Sequence, residues 1–144
     1  MKGSKKGALY FVVFMIGAFI ITYYYSENKR EELNANKAIG KGLITGMDMV
    51  HKGSGIFVKY VFEVKGDFVK DQIIIPIKSN QLEILSEDLI GREYPVIYDS
   101  LDKSNNKMLL FKEEFMHYGL AVPDSLHYIF HMLDSLRYNK KWVF

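Results

Sequence analysis

The stretch ALYFVVFMIGAFIITYYY, from Ala8 to Tyr25, decides the architecture of this chain. It carries no charged side chain, and its clearly polar groups are Thr22 and the tyrosine hydroxyls. At about 1.5 Å per residue a helix of this length spans roughly 27 Å, close to the ~30 Å hydrocarbon core of a bilayer. A helix also satisfies its own backbone hydrogen bonds, as a segment in lipid must. The stretch therefore predicts a single transmembrane helix at residues 8–25, in contact with the lipid bilayer.

The same stretch has two other interpretations, a cleaved secretory signal and a buried helix of a soluble protein. A signal sequence has an apolar run of about 7–15 residues, followed by small residues at the cleavage site. Here the run is longer, and it ends in Tyr23, Tyr24 and Tyr25. Three tyrosines fit the aromatic belt of a membrane interface, because their rings are apolar and their hydroxyls are hydrated. An uncleaved anchor is the favoured interpretation.

Flanking charge bears on the orientation of the anchor. Residues 1–7 form a short basic tail, expected in the cytoplasm, and basic residues also follow the anchor, at Lys29, Arg30 and Lys37. A domain that folds after an anchor crosses the membrane largely regardless of its charge. We therefore expect a single-pass protein of the inner (cytoplasmic) membrane whose carboxyl-terminal domain is periplasmic or extracytoplasmic. The residues expected at the membrane interface are Lys5, Lys6, Tyr23, Tyr24, Tyr25 and Trp142.

Composition limits the remaining possibilities. The 144 residues include 19 basic and 17 acidic side chains, and three of the lysines precede the anchor. The rest of the chain is therefore almost neutral, which argues against nucleic acid as a partner because such a partner requires a concentrated basic face. The absence of cysteine excludes disulfides, a lipidated cysteine and thiolate metal sites. The length after the anchor suits one small domain.

The polar segment after the anchor, SENKREELNANK at residues 26–37, is rich in helix formers. It is predicted to continue the helix out of the bilayer as a stalk over residues 26–38. A surface for a partner protein is the alternative to a simple spacer. Gly40 and Gly42 then interrupt the helical pattern, and residues 39–117 are expected to form a small antiparallel β domain.

Apolar residues in this domain recur at every second position, which is typical of strands. The first strand carries on one face Leu43, Thr45, Met47 and Met49. The second points inward with Ile56, Val58, Tyr60, Phe62 and Val64. Further strands are predicted at residues 68–77, 92–99 and 107–111, with a short helix at residues 79–90 and with Pro76 at a strand end or edge. Short strands around one helix favour a small barrel or a strongly curled sheet.

Residues 118–144 are expected to form an amphipathic helix and a basic, aromatic tail. Pro123 presets the first turn of this helix, and its apolar stripe contains Leu126, Ile129, Phe130 and Leu133. In the tail, Trp142 and Phe144 are accompanied by three basic residues, Arg137, Lys140 and Lys141. One alternative is that this tail contacts anionic lipid headgroups. The other is that Trp142 and Phe144 complete the core. The predicted fold class is a single N-terminal transmembrane helix followed by a small mainly-β, barrel-like α+β domain with a C-terminal amphipathic helix.

Four segments also carry a family resemblance. They are GLITG at 42–46, GIFVKYVFEVKG at 55–66, GREYPVIYD at 91–99 and KMLL at 107–110. Their layout resembles a bacterial membrane-associated family known as a domain of unknown function (number three-five-nine-two), and similar small anchored β-domain proteins. The chain departs from that pattern at Ser100, where the family usually has proline, and Asp102-Lys103 replaces a later proline. The resemblance implies a bacterial protein with a small β-rich domain next to a membrane helix, and it implies no reaction.

The best candidate for chemistry is on the terminal helix, where the spacing is i, i+3, i+7 and i+10 for Asp124, His127, His131 and Asp134. In a helix these residues fall within a sector of about 80°. Imidazoles four residues apart can share a metal ion, and carboxylates can ligate it or orient the histidines. No His-Glu-x-x-His motif accompanies them. The favoured interpretation is therefore the polar face of an amphipathic helix, with no metal, catalytic or cofactor-binding site.

A second polar group consists of Tyr94, Tyr98 and Asp99. A buried tyrosine pair inside a small barrel explains the two rings equally well. Asp99 is expected to cap the loop that follows it.

The sequence thus predicts a non-enzymatic, membrane-anchored accessory or interaction subunit of an envelope protein complex, with a membrane or periplasmic protein as its partner. One alternative is an immunity or antitoxin-like membrane protein. The enzyme alternative is a metal-dependent hydrolase that uses His127 and His131.

Overall fold

A computed structural model of the protein describes residues 5–51 and 55–137. The first element, α1, is a helix of 31 residues at Lys5–Ala35. Its part Gly7–Ala35 is long and apolar enough to cross a membrane, and none of its most apolar window is buried against the rest of the protein. The helix runs without a break through the predicted stalk and ends only at Ala35. One turn residue, Asn36, separates it from the first strand.

Five antiparallel strands form one sheet that curls into a half barrel, in the order β3-β2-β1-β4-β5. The strands are β1 Lys37–Met49, β2 Ile56–Val64, β3 Asp67–Ile75, β4 Glu93–Asp99 and β5 Asn106–Met108. The predicted meander of the first three strands and the predicted curled sheet are both confirmed. Pro76 directly follows the last residue of β3, as expected for a residue without a backbone donor.

The first strand differs from its prediction in two respects. It begins at Lys37, six residues before Leu43, and includes both glycines that interrupt the helical pattern. Gly42 is required there, because a Cβ at this position would lie 2.5 Å from Cγ2 of Val96 and 2.8 Å from Cε of Met108. A register shift between Ile44 and Gly46 marks a β-bulge.

This bulge corrects the face predicted for the first strand. Leu43 and Thr45 are exposed, whereas Met47 is only 9% exposed and belongs to the core. An extra residue in one strand moves every later side chain to the opposite face, so strict alternation fails beyond it. The prediction that Met47 shares a face with Leu43 and Thr45 is therefore wrong.

The helices after α1 are α2 Leu82–Leu89, α3 Lys112–His117 and α4 His127–Leu136. A 3₁₀ turn precedes α2 and another precedes α4. The sequence pattern predicts α2 and α4 but misses α3, which is too short to show a helical period. Its first turn is held by the buried carboxylate of Glu114, which accepts the backbone N–H groups of Leu110 and Phe111 at 2.8 and 3.0 Å.

One hydrophobic core lies between the inner face of the half barrel and these helices. Four of the five predicted inward residues of β2 are buried, at most 2% exposed: Ile56, Val58, Tyr60 and Phe62. The fifth, Val64, is half-buried against the core. The apolar stripe of α4 is buried as predicted, through Ile129, Phe130 and Leu133. Burial of side chains of this size contributes roughly 1.5–3 kcal/mol each and sets the curl of the sheet around them.

Side chains connect the two edge strands of the half barrel. The amide Nδ2 of Asn106 on β5 donates to Oδ2 of Asp71 on β3 at 2.9 Å, and the hydroxyl of Tyr60 donates to Oδ1 of Asn106 at 2.6 Å. At the adjacent hairpin, Lys103 donates to Asp67 at 2.5 Å. These contacts close the gap that the short β5 leaves.

The last turns of α1 pack onto the domain. Leu33 is 4% exposed and is part of the core. The backbone N–H of Ser100 donates to the carbonyl of Asn36 at 3.0 Å, and Nδ2 of Asn105 donates to the carbonyl of Lys29 at 2.7 Å. Residues 26–35 are therefore a docked continuation of the helix, and residues 37–38 of the predicted stalk belong to β1.

Candidate functional site

The face of the sheet that points away from the core is uncovered across three strands. We call it the outer sheet surface and define it by Lys41, Leu43 and Thr45 of β1, Lys59, Val61 and Glu63 of β2, and Phe68, Lys70 and Gln72 of β3. All of these side chains are exposed except that of Val61, which is half-buried between the strands.

Two open depressions adjoin on this surface. One has a volume of about 460 Å³ and includes Leu43, Val61 and Phe68 in its lining. The other has a volume of about 510 Å³ and includes Thr45, Val61 and Lys70. Val61 lines both, so the two depressions meet at this residue, and we refer to them together as the groove across β1, β2 and β3.

The centre of the groove is apolar. Leu43 and Val61 are directly opposite each other in the β1–β2 ladder, and Phe68 lies opposite Glu63 in the β2–β3 ladder. The residue Phe68 is 71% exposed and Leu43 is 38% exposed. A cluster of apolar side chains on an otherwise polar face is typical of a surface that binds another protein.

Charges of both signs surround this centre. Lys41 lies 3.9 Å from Glu93, and Lys59 forms an ion pair with Asp48. Such exposed pairs contribute only about 0–1 kcal/mol each to stability. Their mixture of signs differs from the concentrated basic face that nucleic acid requires, and it matches the polar rim of a protein interface.

Three of the four predicted metal candidates meet at one depression on α4. His127, His131 and Asp134 line a depression of about 250 Å³. The exposed Asp124 does not line it, but its Oδ1 lies 3.7 Å from Nε2 of His127. Oδ1 of Asp134 accepts a hydrogen bond from Nη2 of Arg137 at 2.8 Å. Within residues 5–51 and 55–137, no group of three or more His, Cys, Asp or Glu side chains is arranged to hold a metal ion.

Arg137 does not make the lipid contact that was one of the two alternatives for the tail. Its guanidinium is fully buried, bonded to Glu113 at 3.0 Å and to Asp134, and stacked 4.8 Å from the centre of the Phe111 ring. A side chain held in this way does not reach lipid headgroups. The arginine instead ties α4 to α3. Trp142, predicted at the membrane interface, lies outside the described residues.

The two tyrosines of the polar group on β4 both pack against the core. Tyr94 is 1% exposed, and burial raises the pKa of its hydroxyl to about 12. Tyr98 is half-buried, with its ring centre 5.6 Å from that of Phe62. Asp99 accepts the backbone N–H of Leu101 at 2.8 Å, which confirms the predicted loop cap.

The tyrosines at the end of the apolar run are exposed along α1. The rings of Tyr23 and Tyr24 meet edge to face at 6.2 Å, and the hydroxyl of Tyr23 donates to Glu27 at 2.9 Å. Nζ of Lys29 lies 5.5 Å from the centre of the Tyr25 ring. The side chains of Lys5 and Lys6, the other predicted interface residues, lie outside the described part of the chain.

The outer sheet surface is not among the predicted sites, although the alternation in β2 contains part of the signal for it. Val61 lies between inward positions, so a second apolar set on the outward face was visible there. No protein-family model, curated protein or solved structure is significantly similar to this chain.

Proposed function

We propose that this chain is a single-pass, membrane-anchored, non-enzymatic interaction subunit of an envelope protein complex. It binds a membrane or periplasmic protein through the outer sheet surface. The observation that carries this proposal is the apolar centre formed by Leu43, Val61 and Phe68 on the uncovered face of a sheet whose first strand follows the long apolar helix after one residue.

The energetics of the apolar centre favour a protein partner. Full burial of a Leu, Val or Phe side chain is worth roughly 1.5–3 kcal/mol. A partner that covers Phe68 gains most of that amount, because the side chain is 71% exposed in the free chain. Large aromatic side chains at the centre of a patch, with charges around them, are the usual anchors of protein interfaces.

The connection between helix and sheet supports a partner in or near the same membrane. Only Asn36 separates α1 from β1, and the buried Leu33 fixes the end of the helix against the domain. An anchored domain samples a thin layer beside the bilayer, which raises the effective concentration of any partner that is also held there. A fixed helix end limits the orientations in which the outer sheet surface is presented.

The test is copurification of the full-length chain from its native membranes in mild detergent. Phe68→Asp should abolish recovery of the partner. Tyr128→Asp is the matched control, because Tyr128 is a 73% exposed aromatic residue on α4, away from the outer sheet surface. Recovery of only the lone 16.7 kDa chain under several detergent conditions, or equal loss of the partner in both variants, would overturn the proposal.

The identity of the captured partner also separates the alternatives. A toxin bound through Phe68 would make this chain an immunity protein, and a stoichiometric envelope protein would make it an accessory subunit. The hydrolase alternative requires a bound transition metal that is lost in His131→Ala, which metal analysis of the purified chain would detect.

A further inference from the structure

The loop between β4 and β5 runs beside α1 towards the apolar part of the helix. At its start Ser100 is bonded to Asn36, and at its end Asn105 is bonded to Lys29. Nζ of Lys29 also lies 3.9 Å from Oδ2 of Asp102. From Asn36 back to Lys29 is seven residues of helix, or about 10 Å along its axis. Residues 100–105 therefore reach well beyond the end of the sheet.

The loop ends close to the level of the tyrosines. Lys29 lies four residues after Tyr25, which is about 6 Å along the helix axis. The headgroup layer on each side of a bilayer adds roughly 5–7 Å to the hydrocarbon core. The ammonium of Lys29 extends back to within 5.5 Å of the Tyr25 ring centre, and the carboxylate of Asp102, the residue after Leu101, lies 3.9 Å from it. With Tyr23 to Tyr25 at the edge of that core, the backbone at Lys29 and the side chains of Asn105 and Asp102 that contact Lys29 lie in the headgroup layer.

Leu101 is the most exposed large hydrophobic residue in the described part of the chain, at 82%. The loop around it is held by its own hydrogen bonds. Asp99 caps the N–H of Leu101, and Oδ1 of Asp102 accepts both the backbone N–H and the hydroxyl of Ser104, at 3.0 and 2.6 Å. The exposure of Leu101 is therefore a property of an ordered loop.

The charges of the loop are paired with other side chains of the same chain, in exposed ion pairs. Asp102 faces Lys29, and Lys103 is bonded to Asp67 of the β2–β3 hairpin. Paired charges lower the cost of approach to a less polar layer, which leaves the apolar side chain to make the favourable contact. The contact should then depend little on anionic lipid.

From these contacts we propose that residues 100–105 form a membrane-surface loop that inserts Leu101 into the lipid headgroup layer. The domain then lies against the bilayer at two points, the anchor helix and this loop, and its outer sheet surface is held in one orientation. This inference rests on the proposed membrane anchoring, and it adds the lipid surface as a binding partner of the domain itself.

The absence of cysteine allows a single-cysteine test. Full-length Leu101→Cys, Phe14→Cys and Met49→Cys are each labelled with a nitroxide and placed in phosphatidylcholine vesicles, with or without phosphatidylglycerol. Phe14 is in the middle of the apolar run, and Met49 is 61% exposed at the opposite end of β1 from the helix. Collision with a water-soluble nickel complex and with oxygen measures the depth of each label.

We expect the nickel complex to reach the label at Leu101 severalfold less often than the label at Met49, in both lipid mixtures, and to be excluded from Phe14. Equal access at Leu101 and Met49, with Phe14 excluded, would overturn the loop proposal and leave the anchor in place. Free access at Phe14 would overturn the anchoring itself. A bimane label at the same positions, quenched by a headgroup nitroxide lipid, gives an independent reading in which Leu101→Cys must exceed Met49→Cys.

Discussion

The side-chain amide of Asn106 donates a 2.9 Å hydrogen bond to the carboxylate of Asp71, and this bond joins the two edge strands of the sheet. The other carboxylate oxygen of Asp71 accepts the backbone N–H of Gln72 at 2.7 Å. An unpaired edge N–H is a template for an added strand, so its capture by a side chain protects the edge of β3. One aspartate thus closes the half barrel and blocks strand addition beside it.

The first prediction concerns this closure. Asp71→Ala removes the carboxylate that links the Asn106 amide to β3 and accepts the N–H of Gln72, whereas the carbonyls of Lys103 and Ser104 still accept from that amide. The loss of these two charge-assisted bonds should lower the free energy of unfolding by about 1–3 kcal/mol. Asp48→Ala is the matched control, because it removes only an exposed ion pair and should change stability by about 0–1 kcal/mol. Denaturant unfolding of the full-length chain in detergent, followed by circular dichroism, measures both. Similar losses in the two variants would contradict the closing role of Asp71.

The second prediction concerns close packing across the sheet. Gly42→Ala introduces a Cβ that meets Val96 and Met108 at 2.5 and 2.8 Å, so we expect a loss of about 1–3 kcal/mol through overpacking. At Gly46 the nearest atom to a new Cβ is Cδ of Lys59 at 3.9 Å. Gly46→Ala should therefore be almost neutral in thermal unfolding. A Gly46→Ala variant as unstable as Gly42→Ala would rule out the steric explanation.

The third prediction compares two buried tyrosines. The Tyr94 hydroxyl has no hydrogen-bond partner in the described part of the chain, whereas that of Tyr60 donates to Asn106 at 2.6 Å. Tyr94→Phe should be neutral or stabilising, because it removes a buried polar group without a partner. Tyr60→Phe should cost about 1 kcal/mol, because it removes a hydrogen bond and leaves the Asn106 oxygen unpaired. A larger loss at Tyr94 than at Tyr60 in thermal unfolding would refute this comparison.

Tyr94 also predicts a loss of stability at alkaline pH. Burial raises its pKa to about 12 in the folded chain, against about 10 in the unfolded chain. Because the folded pKa is the higher one, the neutral hydroxyl of Tyr94 contributes to the free energy of unfolding. That contribution is fully present below about pH 10 and is lost as pH rises towards about 12. Between these two pH values, the free energy of unfolding should fall less steeply with pH in Tyr94→Phe than in the unaltered chain. An unchanged pH profile in that variant would show that other groups control alkaline unfolding.

The fourth prediction concerns the contact between the β2–β3 hairpin and the membrane-surface loop. The hydrogen bond and charge of Lys103 hold the pKa of Asp67 below its usual range. Because the pKa of Asp67 is lower in the folded chain, its ionised carboxylate stabilises the fold. This stabilisation is complete above the ordinary aspartate pKa of about 3.9 and is lost as pH falls through the pKa of Asp67 in the folded chain. In an NMR titration, Lys103→Ala should return the Asp67 pKa towards its ordinary value. A pKa that stays low in this variant would assign the shift to another cause.

The fifth prediction concerns orientation. A single cysteine at Met49, exposed and distant from the helix along β1, should react with a membrane-impermeant maleimide in intact spheroplasts. A cysteine at Ser4, in the amino-terminal tail, should react only after the membrane is permeabilised. The reverse pattern would put the domain in the cytoplasm and would exclude a periplasmic partner.

Several features could be read from the sequence because neighbouring residues carry them. The apolar run that becomes most of α1, the alternation of β2 and the turn at Lys65 and Gly66 each lie within a short window. Lys65 and Gly66 both adopt positive φ, at 53° and 89°, as a tight hairpin requires. Periodicity and turn residues are local signals, so they can be recognised without knowing which strands pair with one another.

Long-range contacts decided the rest. The β-bulge that turns Met47 inward is set by pairing with β2, and Gly42 is explained by Val96 and Met108, which approach it only in the folded sheet. From the sequence, Arg137 belongs to a basic tail, whereas the fold places Glu113 and the ring of Phe111 against its guanidinium. In each case the residues that decide the outcome are distant in sequence, and the periodicity of a short segment carries no information about such contacts.

The sequence by itself therefore determined that a long apolar helix precedes a small antiparallel β domain. Only the tertiary structure decided how the half barrel closes, because Asp71 and Asn106, which form the closing hydrogen bond, are 35 residues apart in the sequence. It also decided that Leu43, Val61 and Phe68 form one outer surface and that the loop that contains Leu101 lies beside the helix. Burial and exposure depend on what packs against each face, and that is settled only when all the strands and helices are assembled.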